Sequence, residues 1–210
     1  MKQKNITNYI FEMGMLAKEM HNGMKLIGTI NLRSVGEHAL RAAQIGYLLT
    51  ILENEKNHSN LNPEKVCSML VFHDNGEIRI GDLHKIASRY IDSKEAEELA
   101  FKDQVSSLPE EAKTVLIKYF QEVEERNTQE GIIAKDADRL ETTFEAKEQY
   151  DLGNTLAMDW IDSVETAFET ESAKEIFKSM KETRFTDWWI GLKKTICKKL
   201  DGTDVYHGEN

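Results

Sequence analysis

Apolar residues return at the three-and-four spacing of a helix along nearly the whole chain, and no convincing period-two alternation marks a strand. Ile6, Ile10, Met13, Ala17 and Met20 mark a first helix. A second runs through INLRSVGEHALRAAQIGYLLTILEN, where Ser34 and Glu37 stand at capping-box spacing. In NPEKVCSMLVFHD, Asn62 is placed to cap a third helix and Pro63 to open it, with Asn75-Gly76 as its C-terminal stop. SKEAEELAFKDQVSSL and PEEAKTVLIKYFQEVEE predict two more, the latter opened by Pro109. GIIAKDADRLETTFEAKEQYDL predicts another, followed by helices over about 156–181 and 185–200 and a loose polar tail, 201–210. The pattern predicts an all-α protein, a single domain over residues 1–200.

Composition agrees with one helical core: 210 residues, 40% hydrophobic, 30% charged, with only 2 Pro and 12 Gly. The net charge of −10, with no basic run, argues against a duplex nucleic-acid partner. Small anions stay compatible with it, because a few local cations or a metal can hold one phosphate. No apolar run approaches bilayer length, and MKQKNITNYIFEMG lacks a signal-like segment. Cys67 and Cys197 form neither a CxxC pair nor a disulfide framework. These features predict a cytoplasmic protein with no membrane partner. Phosphate-binding GxxxxGK[ST], GxGxxG after a strand, and GxSxG are all absent.

The chemistry concentrates in LVFHDNGEIRIGDLH, where an apolar run ends on His73-Asp74 and two further carboxylates, Glu77 and Asp82, follow. Helical spacing puts His38 on the apolar face of the second helix, with Ala42, Ile45 and Leu49. Asp138 lies beside the inward stripe Ile133, Ala137, Leu140 and Phe144, whereas Asp136 points toward the side that meets solvent. Each residue alone has a plain reading: a core histidine, a helix-end pair, a salt-bridged acid. Together, two imidazoles and two carboxylates make a mixed N/O ligand set suited to Mn²⁺, Fe²⁺, Co²⁺ or Ni²⁺, with Zn²⁺ and Mg²⁺ also compatible. Four protein ligands leave positions open for water and substrate.

His38 in SVGEHALRAA, His73-Asp74 in MLVFHDNGEIRIGD and Asp138 in AKDADRLE resemble the H…HD…D signature of HD-domain phosphohydrolases. The intervals are similar to those of the branch containing bacterial 5′-deoxynucleotidases, over roughly Met13 to Tyr150. The resemblance implies an HD-type helical bundle with extra C-terminal helices, and a divalent cation held by His38, His73, Asp74 and Asp138. It also implies hydrolysis of a small phosphomonoester, with a nucleoside monophosphate as the expected substrate. Glu77 and Asp82 match the positions of its carboxylates that support the metal ligands and serve as acid or base. The chain departs from that branch upstream of His38. No arginine stands at the matching place, and Met24 replaces a tryptophan. Lys18, His21, Lys25 and Arg33 are left as candidate phosphate contacts.

In the mechanism so implied, Glu77 orients or deprotonates the attacking water and Asp82 protonates the leaving oxygen. Arg79, Lys85 or Arg89 could neutralise phosphoryl oxygens, or could form a solvated basic face. The structural alternative pairs Glu77 with Arg79 and makes Asp82 the cap of the next helix. Two other functions share the scaffold: a phosphodiesterase or guanosine polyphosphate hydrolase, and a non-catalytic metal-binding module. The first would need further histidines, and only His84 lies between Asp74 and Asp138. Trp160 and Trp188-Trp189, read as exposed aromatics, suggest a homodimer.

Overall fold

In the computed structural model, residues 2–190, 195–198, 201 and 204–207 are described. The helices are α1 (Lys2–Met13), α2 (Val35–Asn57), α3 (Pro63–Phe72), α4 (Glu77–Ile80), α5 (Ser93–Val105), α6 (Glu110–Glu125), α7 (Gln129–Asp151), α8 (Ala157–Val164) and α9 (Glu171–Glu182). The long helices α2 and α7 lie side by side at the centre, and α3 packs against both. Leu49, Val66, Met69, Leu70, Ile133, Ala137, Leu140, Ile161 and Phe177 fill the core between them. A smaller core, Tyr9, Phe101, Val105 and Phe120, joins α1 to α5 and α6. Gly46 allows α2 and α3 to approach closely, since a Cβ there would lie 2.9 Å from Val66 Cγ1. The fold class is all-α, as the apolar spacing predicts.

Local signals set several boundaries. Glu37 N donates to Ser34 Oγ and Ser34 N to Glu37 Oε2, at 3.2 and 2.7 Å, so the capping box starts α2 as read. Asn62 Oδ1 accepts from Lys65 N at 3.0 Å at the start of α3. The stop at Asn75-Gly76 does not form in the expected way. α3 ends at Phe72 with His73 as its cap. Gly76 keeps a right-handed φ of −57°, and the chain passes through a turn directly into α4.

Two C-terminal expectations are corrected. The helix predicted over 156–181 is divided into α8 and α9 by a 3-10 turn, Glu165–Ala167, and extended residues after it. The cause is Asp136, which is fully buried rather than facing solvent. Its carboxylate accepts from Glu169 N at 3.0 Å, Thr170 N at 2.7 Å and Thr170 Oγ1 at 2.9 Å, and so holds the interruption open. The helix predicted over 185–200 is replaced, where described, by a 3-10 turn, Asp187–Trp189, and by β1 (Thr195–Lys198). β1 pairs antiparallel with β2 (Asp204–His207) from the predicted tail, with Ile196 opposite Tyr206. Residues 191–194, 199–200, 202–203 and 208–210 lie outside the described ones.

Asp136→Ala should therefore be strongly destabilising. Each buried donor left without a partner costs about 1–3 kcal/mol. A chain of this size shifts its Tm by about 2–4 °C per kcal/mol. A thermal melt that moves by less than about 2 °C would show that the α8–α9 break is held by something else.

Candidate metal centre

Three central helices bring the H…HD…D residues to one point. α2 supplies His38, the end of α3 supplies His73 and Asp74, and α7 supplies Asp138. His38 Nε2 lies 3.3 Å from both Asp74 Oδ2 and Asp138 Oδ1. His73 Nε2 lies 3.2 Å from Asp74 Oδ1 and 3.8 Å from Asp138 Oδ1. The two rings are buried, their centroids 5.5 Å apart.

Each imidazole is anchored through its other nitrogen. His73 Nδ1 donates to the Leu70 carbonyl at 2.8 Å. His38 Nδ1 bonds Glu141, a fully buried carboxylate that also accepts from Arg33 and, at 2.7 Å, from Arg41 Nε. Both Nε2 atoms therefore turn toward the same carboxylates. His73 Nε2 makes no hydrogen bond although it is buried. A buried nitrogen without a hydrogen bond is costly, and ligation would remove that cost. His38, His73 and Asp74 can offer one ligand atom each within 4.8 Å of one another, and Asp138 closes the set. This donor set, with its Nδ1 anchors, fits a divalent cation.

Without a cation, the cluster behaves as paired charges. Burial favours a neutral His73 ring, but the Asp74 and Asp138 carboxylates outweigh it and push His73 up to about 9. His38 is likewise raised against burial, by Asp138 and Asp74. Burial opposes ionisation of Asp138 too, yet Lys135 and the two rings hold it well below the usual carboxylate range. At pH 7 His73 thus carries a proton that must leave before its nitrogen can ligate. Cation uptake near neutral pH should release protons, and apparent affinity should climb as pH rises toward about 9. Calorimetric titration with Mn²⁺ in two buffers of unlike ionisation enthalpy measures this, and identical heats would refute it.

Glu77 and Asp82 flank the cluster. Glu77 opens α4 and stands with Asp74 and Glu97 in a second group of close carboxylates. Glu97 comes from α5, whose backbone approaches so closely that a Cβ on Gly76 would lie 2.7 Å from the Glu97 carbonyl oxygen. Burial, reinforced by Asp74, Asp82 and Glu97, holds Glu77 well above the usual carboxyl range. Burial and Asp74 likewise push Glu97 up to about 8. Asp82 accepts from the Asn22 backbone N–H, while Asn22 Nδ2 donates to the Asp82 carbonyl at 3.1 Å.

The candidate cations divide. Lys85 lines the groove beside the cluster, its Nζ 4.7 Å from the Trp160 ring centroid. Arg33 is bound to Glu141 and, at 2.7 Å, to Glu145. Arg79 turns away to Glu12 and Asp103. Lys25 is exposed on the 3-10 turn Gly23–Ile27, and Arg89 is exposed beyond the groove. His21 stacks on His38 with centroids 4.5 Å apart, and also lines the groove. Lys135, Glu97 and Glu141 did not come out of the sequence reading. Lys135 Nζ sits 2.8 Å from Asp138 Oδ2, three residues earlier on α7. Glu97 precedes Phe101 by one helical turn, and Glu141 follows Ala137 by one, so inward spacing was the available signal.

Comparison with known proteins gives a family. A family model described as HD domain matches residues 14–182. A 5′-deoxynucleotidase of Erwinia tasmaniensis is 30% identical over 141 residues, 63% of this chain and 69% of the relative. A 5′-deoxynucleotidase of Enterobacter sp. (strain 638) is 25% identical over 163 residues, 74% of this chain and 80% of the relative. Among solved structures, a conserved hypothetical protein from Pyrococcus furiosus matches with a TM-score of 0.73 at 28% identity, over 84% of this chain and 99% of that one. A protein described as a predicted metal-dependent phosphohydrolase from Magnetospirillum magnetotacticum MS-1 shares the fold, with a TM-score of 0.65 at 19% identity over 86% of this chain and 94% of that one. With the family model spanning the bundle from the turn after α1 to the end of α9, the chain belongs to the HD-domain family.

Proposed function

We propose that the protein is a metal-dependent phosphohydrolase that removes phosphate from (deoxy)nucleoside 5′-monophosphates or similar small phosphomonoesters. The observation that carries this reading is the convergence of His38, His73, Asp74 and Asp138 beside an open groove of about 380 Å³, with His73 Nε2 lacking a hydrogen bond. That volume falls within the range of small-molecule sites. The relatives named 5′-deoxynucleotidases support a small nucleotide as the substrate.

The four residues would hold the cation. A divalent ion bound there polarises a phosphoryl oxygen and lowers the pKa of a water. Lys135, on the groove wall, sets a positive charge where phosphoryl oxygens would lie. Lys85 can add a second. Burial and the carboxylates around it raise the Glu77 carboxyl well above its ordinary range in the metal-free protein, and Asp82 is held at the groove by Asn22. Glu141 fixes the His38 ring, so Glu141→Gln should lower metal affinity or activity by about 10- to 100-fold, as measured by metal titration and turnover.

A phosphate-release screen tests the function. The protein is chelated, reloaded with Mn²⁺, Co²⁺ or Mg²⁺, and offered nucleoside monophosphates, sugar phosphates, diesters and guanosine polyphosphates. Metal-dependent release from monoesters is the expected result. Release from diesters or guanosine polyphosphates alone would transfer the reading to the alternative hydrolase, and no release at all would favour a binding module.

We also propose a homodimer. α2 leaves Leu40, Leu48 and Ile51 exposed on one side, and Trp188 and Trp189 are exposed, while Trp160 is half-buried and lines the groove instead. Light scattering at micromolar concentration should give twice the 24.1 kDa chain mass, and the monomer mass would reject it.

A further inference from the structure

We propose that Trp160 is the platform on which the base of a nucleotide substrate stacks, so that α8 sets the preference of the groove for nucleotides over sugar phosphates. The inference rests on the phosphohydrolase reading above and adds a residue to it from outside the H…HD…D set.

The groove has a mixed lining, in which the charged side chains of Asp82, Lys135 and Asp138 share the wall with Trp160, Val164 and Ala167. α7 forms a continuous wall, with Asp138, Arg139 and Thr142 all facing the groove. A phosphoester seated at Asp138 would therefore share this groove with an aromatic ring.

The indole is held in place from behind. Ala157 and Ile161 bury the inner side of α8, which leaves Trp160 half-buried at the groove. Gly23 meets the ring edge: a Cβ there would lie 3.1 Å from Cη2 and 3.6 Å from Cζ3. A Cβ at position 23 would oblige the ring to give by a few tenths of an ångström. Met24 is fully buried, so the position where the resemblance places a tryptophan offers no aromatic surface to the groove. Trp160 reaches the groove from the opposite end of the sequence.

The ring also has an approachable face. Lys85 Nζ lies over it, 4.7 Å from the centroid, on an otherwise exposed side chain. An exposed ammonium yields such a face readily, because water replaces the contact at little cost. A planar base stacks on an aromatic face with little regard to its identity, whereas a bare sugar phosphate gains nothing from it. The geometry thus predicts selection for an aromatic leaving group and weak discrimination among bases.

The test uses metal-loaded protein and two variants, Trp160→Leu and the conservative Trp160→Phe. Turnover is measured on deoxyadenosine 5′-monophosphate and on ribose 5-phosphate. Trp160→Leu should lower the ratio of their kcat/KM values by roughly 10- to 100-fold, mainly through KM for the nucleotide, and Trp160→Phe should restore most of it. An unchanged ratio in Trp160→Leu would overturn the proposal. Binding supplies a second readout independent of hydrolysis. Deoxyadenosine, which has no phosphate to lose, should quench tryptophan fluorescence in the wild type and not in Trp160→Phe. Equal quenching in both would place the base elsewhere, near Trp188 or Trp189, and overturn the proposal. If the wild type hydrolyses no phosphomonoester, the hydrolase reading fails, while the deoxyadenosine titration still decides whether Trp160 stacks a base.

Discussion

Asp138→Asn should empty the metal centre and abolish turnover together. Asp138 is the one carboxylate from α7 in the cluster, within 3.3 Å of His38 Nε2 and 3.8 Å of His73 Nε2. Without its charge, the cation would lose a ligand, and the His rings would lose one of the two carboxylates they share. The same change should be visible without metal. Asp138 is held well below the usual carboxylate range by Lys135, His38 and His73, against burial. A depressed carboxyl contributes stability that is present above its unfolded pKa of about 3.9 and is lost as pH falls toward the folded value. Metal-free wild type should therefore lose stability as pH falls below about 4, and the asparagine variant should show a flatter acid limb from a lower starting point. Elemental analysis, turnover and pH-dependent melts give the three readouts. A variant that keeps both stoichiometric metal and wild-type turnover would remove Asp138 from the ligand set.

The sequence made the skeleton of this site legible because local rules govern it. Ser34 with Glu37, and Asn62 with Pro63, cap the starts of helices that carry His38 in the first turn of one and His73 at the C-terminal end of the other, at readable spacing. What escaped the reading depends on tertiary partners. Asp136 lies two residues before Asp138, and its burial is decided by the backbone N–H groups of Glu169 and Thr170, more than thirty residues away. The misplaced Asp136 and the missed interruption between α8 and α9 are thus one error. Arg33 and Arg79 looked available as phosphate contacts, yet each is bound by carboxylates from other elements, Glu141 with Glu145 and Glu12 with Asp103. Glu97 reaches the site only because Gly76 lets α5 approach. The hairpin had a readable signal, the Asp201-Gly202 pair between β-branched and aromatic residues, which the helical pattern upstream overrode.

Glu77→Gln and Asp82→Asn should each lose on the order of 10²–10⁴-fold in turnover, with metal content retained. The structure removes the two simplest structural duties of these carboxylates. Glu77 does not pair with Arg79, whose guanidinium is taken by Glu12 and Asp103. Asp82 caps no helix: the next element is the 3-10 turn Ala87–Arg89, preceded by Ile86. Glu77 Oε2 is buried without a hydrogen bond and crowded by Asp74 and Glu97. A carboxyl kept in such surroundings gains nothing for stability, so Glu77→Gln should leave the melting temperature level or raise it. Asp82 differs, because its carboxylate accepts the Asn22 N–H and thereby ties the chain before α2 to the loop after α4. If that tie were its whole duty, Asp82→Ala, which removes the acceptor, would cost about 1–3 kcal/mol and shift the melt by several degrees, while Asp82→Asn would spare most activity. If it handles a proton of the reaction, turnover falls while the melt moves little, since asparagine's amide oxygen can still accept the Asn22 N–H. Wild-type turnover in both variants, with the metal bound, would leave the chemistry to the cation and the groove cations alone.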